Sequence, residues 1–135
     1  MFKFEERWPN FSKKELACRC GSCSVDSWEN INFESLDKLQ KMRIALGFAM
    51  PISSAFRCKN HKSEKSKKEP GAHGHGQGFD IACSHEQALT ILECARKFGF
   101  TGVGVKQKGG GRFVHVDDMP NEPGKNRPRP HVWSY

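Results

Sequence analysis

The sequence predicts an α+β fold, in which a small antiparallel β-sheet has helices packed on one of its faces. The predicted elements follow the order helix, strand, strand, helix, strand, strand, and the strand segments are short with alternating apolar residues. The chain of 135 residues has the length of one domain. We therefore predict a single domain over residues 1–135, with an irregular N-terminal segment at 1–31, in which Phe11–Ala17 is a candidate for one short helical turn, and a C-terminal tail at 120–135.

Two helices are predicted from apolar periodicity and end signals. The first runs from about Phe33 to Leu46, with Asn32 as its N-cap and Gly47 at its end. The second runs from about His85 to Phe98, and Ser84–Gln87 has the spacing of a capping box. Each helix carries apolar residues on roughly one face, which indicates that it packs on a sheet.

Four strands are predicted, at about residues 51–57, 79–83, 103–105 and 112–117. In the second strand, alternation directs Phe79 and Ile81 to the core and Asp80 to the opposite face. In the fourth strand the two valines face the core, so His115 and Asp117 lie on the other face. Two strands therefore present polar side chains to one place.

A metal site is predicted from His73, Asp80 and His115. Two imidazoles and one carboxylate are the ligands of a catalytic zinc ion that keeps a fourth position open. Each residue alone is more simply a loop or half-buried polar group, but the three together favour the metal. His75 is an alternative ligand if the loop shifts. The spacing to Asp80 favours His73, which leaves His75 as a loop residue or a polar group near a substrate.

The six cysteines fall into two groups. Cys83 and Cys94 lie in apolar patterns and are predicted to be buried, reduced thiols. Cys18, Cys20 and Cys23 form a tight cluster that could bind a structural metal, with Cys58 as a fourth ligand. The usual zinc pattern has two separated CxxC pairs, and this chain has no second pair, so the sequence favours thiols without a metal. Disulfides also stay open.

The net charge of +7 suits an anionic partner such as a cell-wall polymer. Its basic clusters, at 59–68 and 125–129, are more simply a solvated loop and a basic tail. They lack the interleaved aromatic residues of a single-strand groove, so no nucleic-acid binding is expected. No apolar run reaches membrane-spanning length, and the charged N-terminus does not look like an export signal.

Three segments resemble one family: Ser53–Arg57, His73-x-x-Gly-x-x-x-Asp80 and Phe113–Asp117. They are similar to the zinc D-alanyl-D-alanine carboxypeptidases, a family that includes phage L-alanyl-D-glutamate endopeptidases. The family shares the Hedgehog/DD-peptidase fold. The likeness covers most of the chain, and both Phe11–Cys18 and Arg129–Tyr135 look like the ends of small phage and bacterial members.

The resemblance implies that His73, Asp80 and His115 bind zinc and that Arg57 orients the substrate. It implies hydrolysis of a peptide bond in the stem peptide of peptidoglycan, as in an endolysin. We expect a monomer that resides in the cytoplasm of the producing or infected cell and acts on the wall after release.

One position departs from this family. Members carry a carboxylate general base three residues before the last zinc histidine, where this chain has Arg112. Arg112 cannot accept a proton at neutral pH. Asp117 is the best substitute, although it could instead hold an imidazole in place. Another carboxylate or His131 could also serve. The irregular position keeps open a non-catalytic zinc-bound module of the same fold.

Overall fold

A computed structural model describes residues 2–135 and contains one five-stranded sheet. The strands are β1 (Ile52–Ser54), β2 (Gly78–Ala82), β3 (Gly102–Lys106), β4 (Phe113–Asp117) and β5 (His131–Ser134). Their order across the sheet is β1-β2-β4-β3-β5. The helices are α1 (Phe4–Arg7), α2 (Lys13–Leu16), α3 (Phe33–Leu46) and α4 (His85–Cys94), with 3-10 turns at Val25–Asn30, Ala95–Phe98 and Pro123–Lys125. The predicted α+β class is confirmed.

The sheet is mixed, which corrects the prediction that it is antiparallel. β1, β2, β4 and β3 pair antiparallel, but β5 pairs parallel to β3, with Val103 opposite Val132. β5 belongs to the C-terminal tail at 120–135, in which no strand is predicted. The proline-rich sequence of this tail does not indicate a strand, and the strand forms because the edge of β3 offers free backbone groups to it.

The two long helices begin where the sequence places them. The Asn32 side chain accepts a hydrogen bond from the Ser35 N–H at 3.0 Å, and Gly47 ends α3 with a φ of +75°. α4 begins at His85 and tightens into the 3-10 turn that reaches Phe98. The capping box at Ser84 is wrong, because Ser84 makes no side-chain capping bond. His85 has a φ of +52°, so the backbone leaves regular helical geometry where the cap would act.

The N-terminal segment is more ordered than predicted. It contains α1, α2 and the 3-10 turn at Val25–Asn30, and Trp8 is fully buried against Phe4, Trp28 and Phe33. Four-residue helices are too short to show a helical period in the sequence. Aromatic packing stabilises this segment instead, since such side chains bury a large apolar area.

The core lies between the helices and one face of the sheet. Phe79, Ile81, Val114 and Val116 are fully buried there against helix residues such as Leu39. The opposite face of β2 and β4 carries the polar side chains, as the alternation predicts. Among residues 2–135, no helix is long and apolar enough to span a membrane.

Candidate active site

The polar face of the sheet holds a row of residues in register across four strands. Asp80 on β2 lies opposite His115 on β4, and His115 lies opposite Gly104 on β3. Gly104 in turn lies opposite Trp133 on β5. A Cβ at Gly104 would lie 2.6 Å from Nε1 of Trp133, so only glycine leaves room for the indole beside His115.

His73, Asp80 and His115 converge, although His73 lies in the loop before β2. The Nε2 of His73 lies 3.1 Å from Oδ1 of Asp80, and the Nδ1 of His115 lies 3.0 Å from the same oxygen. The two imidazole nitrogens are 3.2 Å apart. All three side chains are buried. The structure thus brings together the three residues that the sequence predicts as metal ligands.

The outer hydrogen bonds of the two histidines fix their tautomers. The Nδ1 of His73 faces the carbonyl oxygen of Ala55 at 2.7 Å, and the Nε2 of His115 faces a carboxylate oxygen of Asp117 at 2.7 Å. Both partners are acceptors, so these ring nitrogens carry the protons. In the neutral rings the inner nitrogens then carry lone pairs that point at each other and at Asp80, and the second proton of a charged imidazole would lie on its inner nitrogen.

Three lone-pair atoms that converge in this way call for a cation. Tetrahedral zinc with bonds of about 2.0–2.2 Å places its ligand atoms about 3.4 Å apart. The observed separations of 3.0 to 3.2 Å are close to that value. A histidine ligand that donates its other N–H to a carbonyl or a carboxylate is the arrangement that proteins use around metals. The donor set and its surroundings therefore fit zinc.

Burial and hydrogen bonding act in opposite directions on the charges of the site. Burial lowers the pKa of His73 and keeps its imidazole neutral. Burial also opposes charge on His115, but the bonds to Asp117 and Asp80 outweigh it and raise the pKa of His115. The pKa of Asp80 lies below its ordinary value, because the bonds from the two histidines outweigh its burial. Asp80 is therefore an anion, as a metal ligand requires.

Asp117 lies behind His115 and is enclosed by Arg129. The Arg129 Nε and Nη2 donate to its two oxygens at 2.9 and 2.8 Å, and the Met119 N–H donates to it at 3.2 Å. Its side chain is fully buried, and the bonds from His115 and Arg129 outweigh burial and lower its pKa. A carboxylate held in this way is a weak proton acceptor. The geometry therefore favours the positioning role for Asp117 over the role of general base.

Arg57 lies beside the ligand set. Its Nη2 donates to Oδ2 of Asp80 at 3.2 Å, and its Nε donates to the Ser54 hydroxyl at 3.0 Å. The Arg57 side chain is 19% exposed and faces the cleft. Arg57 holds the Asp80 carboxylate and also presents positive charge to any molecule that enters the cleft.

The ligand set lies at one side of an open cleft of about 830 Å³. The charged side chains that line the cleft are Arg57, Glu64, Lys67, Glu69, Asp117, Lys125, Arg127 and Arg129. Cations outnumber carboxylates in this lining. His131, Trp133 and Tyr135 from β5 and the residue after it form an aromatic wall.

Two residues singled out in the sequence lie elsewhere. His75 is exposed and does not line the cleft, so the structure does not bring it to the predicted substrate site. Arg112 donates to the Gly109 carbonyl and lines a separate pocket near α4. The residue three positions before His115 therefore does not reach the ligand set in this chain.

Gly76, in the loop before β2, and Gly78, the first residue of β2, are glycines for steric reasons. A Cβ at Gly76 would collide with the carbonyl oxygen of Asn30, and its φ is +69°. A Cβ at Gly78 would lie 3.0 Å from the His115 ring. Glycine thus lets this loop cross the 3-10 turn and bring His73 against β4.

Sequence reasoning missed Arg129 and Trp133 as parts of the site. A usable signal was the pair Gly102 and Gly104, which alternate along β3. Glycines at alternate positions of a strand leave one face open to side chains from neighbouring strands. A Cβ at Gly102 would lie 2.5 Å from Arg129 Nε and from an oxygen of Asp117.

Comparison with known families agrees with this geometry. A family model described as Peptidase M15 matches residues 9–117. The match covers most of the chain and includes all three predicted ligands, so the chain belongs to the Peptidase M15 family. This family is zinc-dependent, which identifies the chain as a member of a metallopeptidase family and confirms the resemblance seen in the sequence. No curated protein matches the chain.

Proposed function

We propose that this protein hydrolyses a peptide bond in the stem peptides of peptidoglycan and acts on the cell wall as an endolysin does. The observation that carries the proposal is the convergence of three lone-pair atoms, from His73, Asp80 and His115, beside an open cleft with a cationic lining. When bound there, zinc supplies polarisation of the scissile carbonyl and a water of lowered pKa.

Each outer residue supports one inner ligand. The Ala55 carbonyl orients His73, and Asp117 orients His115. Arg129 neutralises Asp117 and fixes its direction. Such partners are needed because a ligand side chain that shifts by a few tenths of an ångström weakens metal binding by the whole ligand set.

Arg57 is the proposed substrate-orienting residue. Its Nε and Nη2 are used by Ser54 and Asp80, which leaves Nη1 to donate toward the cleft. A guanidinium held in this way binds a carboxylate or a carbonyl oxygen with defined geometry. Stem peptides carry several carboxylates, so the charge of the cleft suits them.

Lys125 offers a second contact for an anionic substrate. Its Nζ lies 3.7 Å from Glu69 and 3.6 Å from Glu122, and its side chain is nearly half exposed. Long, exposed ion pairs of this kind contribute little free energy. A substrate carboxylate can therefore replace them at small cost.

His131 is the proposed proton acceptor. It is exposed, lines the cleft and stacks against Trp133 with ring centroids 5.9 Å apart. Trp133 lies against His115 at 5.3 Å. Two carboxylates of the cleft are buried in short ion pairs, Asp117 with Arg129 and Glu64 with Lys67. A neutral imidazole has one ring nitrogen that accepts a proton, so His131 suits the role of base better than these paired carboxylates.

The same ion pairing favours the second candidate function, a zinc-bound wall-binding module without activity. If His131 is not the base, the paired carboxylates would accept a proton poorly, and hydrolysis would lack an efficient general base. Such a module would use the cationic cleft to hold stem peptides without cutting them.

The test is digestion of purified peptidoglycan by the zinc-loaded protein, with products identified by mass spectrometry. We expect stem-peptide fragments whose release stops on chelation and returns with zinc. His131→Gln should keep the metal and peptide binding but lower turnover by about 10²–10⁴-fold. Binding without any cleavage would favour the wall-binding module, and absence of both would overturn the peptidoglycan assignment. His75→Ala is the matched control, since His75 lies outside the cleft.

A further inference from the structure

We propose that Cys18, Cys20, Cys23 and Cys58 bind a second zinc ion, which is structural and separate from the site on the sheet. The four cysteines come from two distant parts of the chain and meet beside β1. This site is independent of the proposed function, because it shares no ligand with the His73, Asp80 and His115 set.

The four sulfurs have the spacing of a metal site. All four Sγ atoms lie within 4.8 Å of one another, and the Sγ atoms of Cys20 and Cys58 are 3.6 Å apart. Tetrahedral zinc with Zn–S bonds of about 2.3 Å separates its sulfurs by about 3.8 Å. A disulfide needs a separation of about 2.05 Å. All six thiols of the chain are free.

The backbone around the cluster also suits thiolate ligands. The Cys58 N–H donates to the Sγ of Cys18 at 3.3 Å, and the Ser22 N–H donates to the Sγ of Cys20 at 3.4 Å. Peptide N–H groups directed at a ligand sulfur stabilise its negative charge. Gly21 has a φ of +89°, which turns the chain between Cys20 and Cys23 so that both sulfurs lie on one side.

The chemistry of the set selects zinc. Four thiolates and no oxygen ligand form a soft, closed site, which matches structural zinc rather than magnesium or calcium. The set has no open position for a substrate, unlike the two-histidine and one-aspartate set. A closed site stabilises the fold because the metal binds the folded chain and not the unfolded chain.

The position of the cluster gives the ion a defined mechanical role. Cys58 directly follows Arg57, and the Phe56 N–H donates to the Leu16 carbonyl at 3.3 Å. The Cys18 N–H donates to the Ser27 hydroxyl at 2.8 Å. An ion held by all four sulfurs therefore ties the N-terminal segment to the segment after β1 that carries Arg57. Loss of the ion should loosen Arg57.

The experiment is metal analysis of the full-length protein with cysteine variants. We expect two zinc ions in the unmodified protein and one in Cys20→Ser and in Cys23→Ser. Cys83→Ser and Cys94→Ser are the matched controls and should keep two, since neither residue belongs to the cluster. A zinc content that Cys20→Ser and Cys23→Ser leave unchanged would overturn the proposal.

Two further measurements keep the proposal testable if a serine variant folds poorly. Cobalt-loaded His73→Ala should show the intense near-ultraviolet charge-transfer bands of thiolate ligation, although its other site is lost. If these charge-transfer bands were missing, the cysteine metal site would be overturned, and the proposed peptidase activity would not be affected by that result. We expect six reactive thiols in the protein after denaturation in the presence of a chelator. Fewer reactive thiols would indicate disulfides and overturn the proposed metal site.

Discussion

The Nε2 of His115 lies 2.7 Å from Oδ2 of Asp117, two residues further along β4. Both side chains lie on the same face of the strand because alternate residues share a face. The carboxylate holds the proton of Nε2, which leaves the lone pair of Nδ1 directed at Asp80 and His73. A local sequence spacing thus determines which ring nitrogen of His115 can bind a metal.

Asp117→Asn should weaken zinc binding at the histidine site. The amide replaces a charged acceptor and places an N–H donor against Arg129 or His115, so we expect affinity to fall by about 10–100-fold. Competition against a chromophoric chelator measures it. Glu86→Gln, the loss of an exposed carboxylate, is the control. Unchanged zinc affinity with lost turnover would instead make Asp117 the general base.

His73→Ala and His115→Ala should each remove the zinc ion of the histidine site and abolish peptide hydrolysis. Each variant deletes one of three ligand atoms, and the remaining two do not hold a catalytic ion tightly. Elemental analysis and a hydrolysis assay provide the measurements. His75→Ala should retain both properties, because His75 is exposed and does not line the cleft. Full zinc content in both ligand variants would refute the assignment.

Gly102→Ala should destabilise the fold and disturb Asp117. The new Cβ would lie 2.5 Å from Nε of Arg129 and from Oδ1 of Asp117, so their ion pair has to shift. Overpacking of this kind costs about 1–3 kcal/mol. Urea unfolding measures the cost, and Gly110→Ala is the control because its Cβ would meet no atom within 4 Å. Equal stability of the two variants would show that the Arg129–Asp117 ion pair can shift without a cost in stability.

Asp37→Asn should lower stability in a pH-dependent way. Two bonds from Arg7, at 2.9 and 2.7 Å, and one from Trp8 at 2.9 Å join α1 to α3 through this carboxylate. The Arg7 bonds lower the pKa of Asp37 against the effect of its burial. Both side chains are about a third exposed, so screening limits the expected loss at neutral pH to about 1 kcal/mol.

The sign of this pH dependence follows from the lowered pKa of Asp37. Its contribution is complete above the ordinary value of 3.8 and is lost as the pH falls through the lower value of the folded state. The difference in unfolding free energy between Asp37→Asn and the parent should therefore shrink in acid. Urea titrations at neutral pH and near pH 3 test it, with the exposed Glu29→Gln as control. A difference that stays constant would exclude the ion pair as its cause.

The sequence by itself determined the class of fold, the two long helices and the faces of β2 and β4. These features depend on local periods: alternation places Asp80 and His115 opposite the apolar side chains of their strands, and helical spacing defines α3. The three predicted ligands also followed from sequence, because residue type and spacing favour a zinc set. The metal-binding chemistry of His73, Asp80 and His115 depends on their residue types, and these can be read from the sequence alone.

The tertiary structure decided everything that depends on contacts between distant segments. It placed Arg129 on Asp117, which changed the expected role of that aspartate from base to positioning residue. It turned the proline-rich tail into β5 and brought Cys58 to the N-terminal cysteines. The physical reason is the same in each case. Packing of the core brings these segments together, and neither side-chain alternation nor helical spacing specifies such a contact.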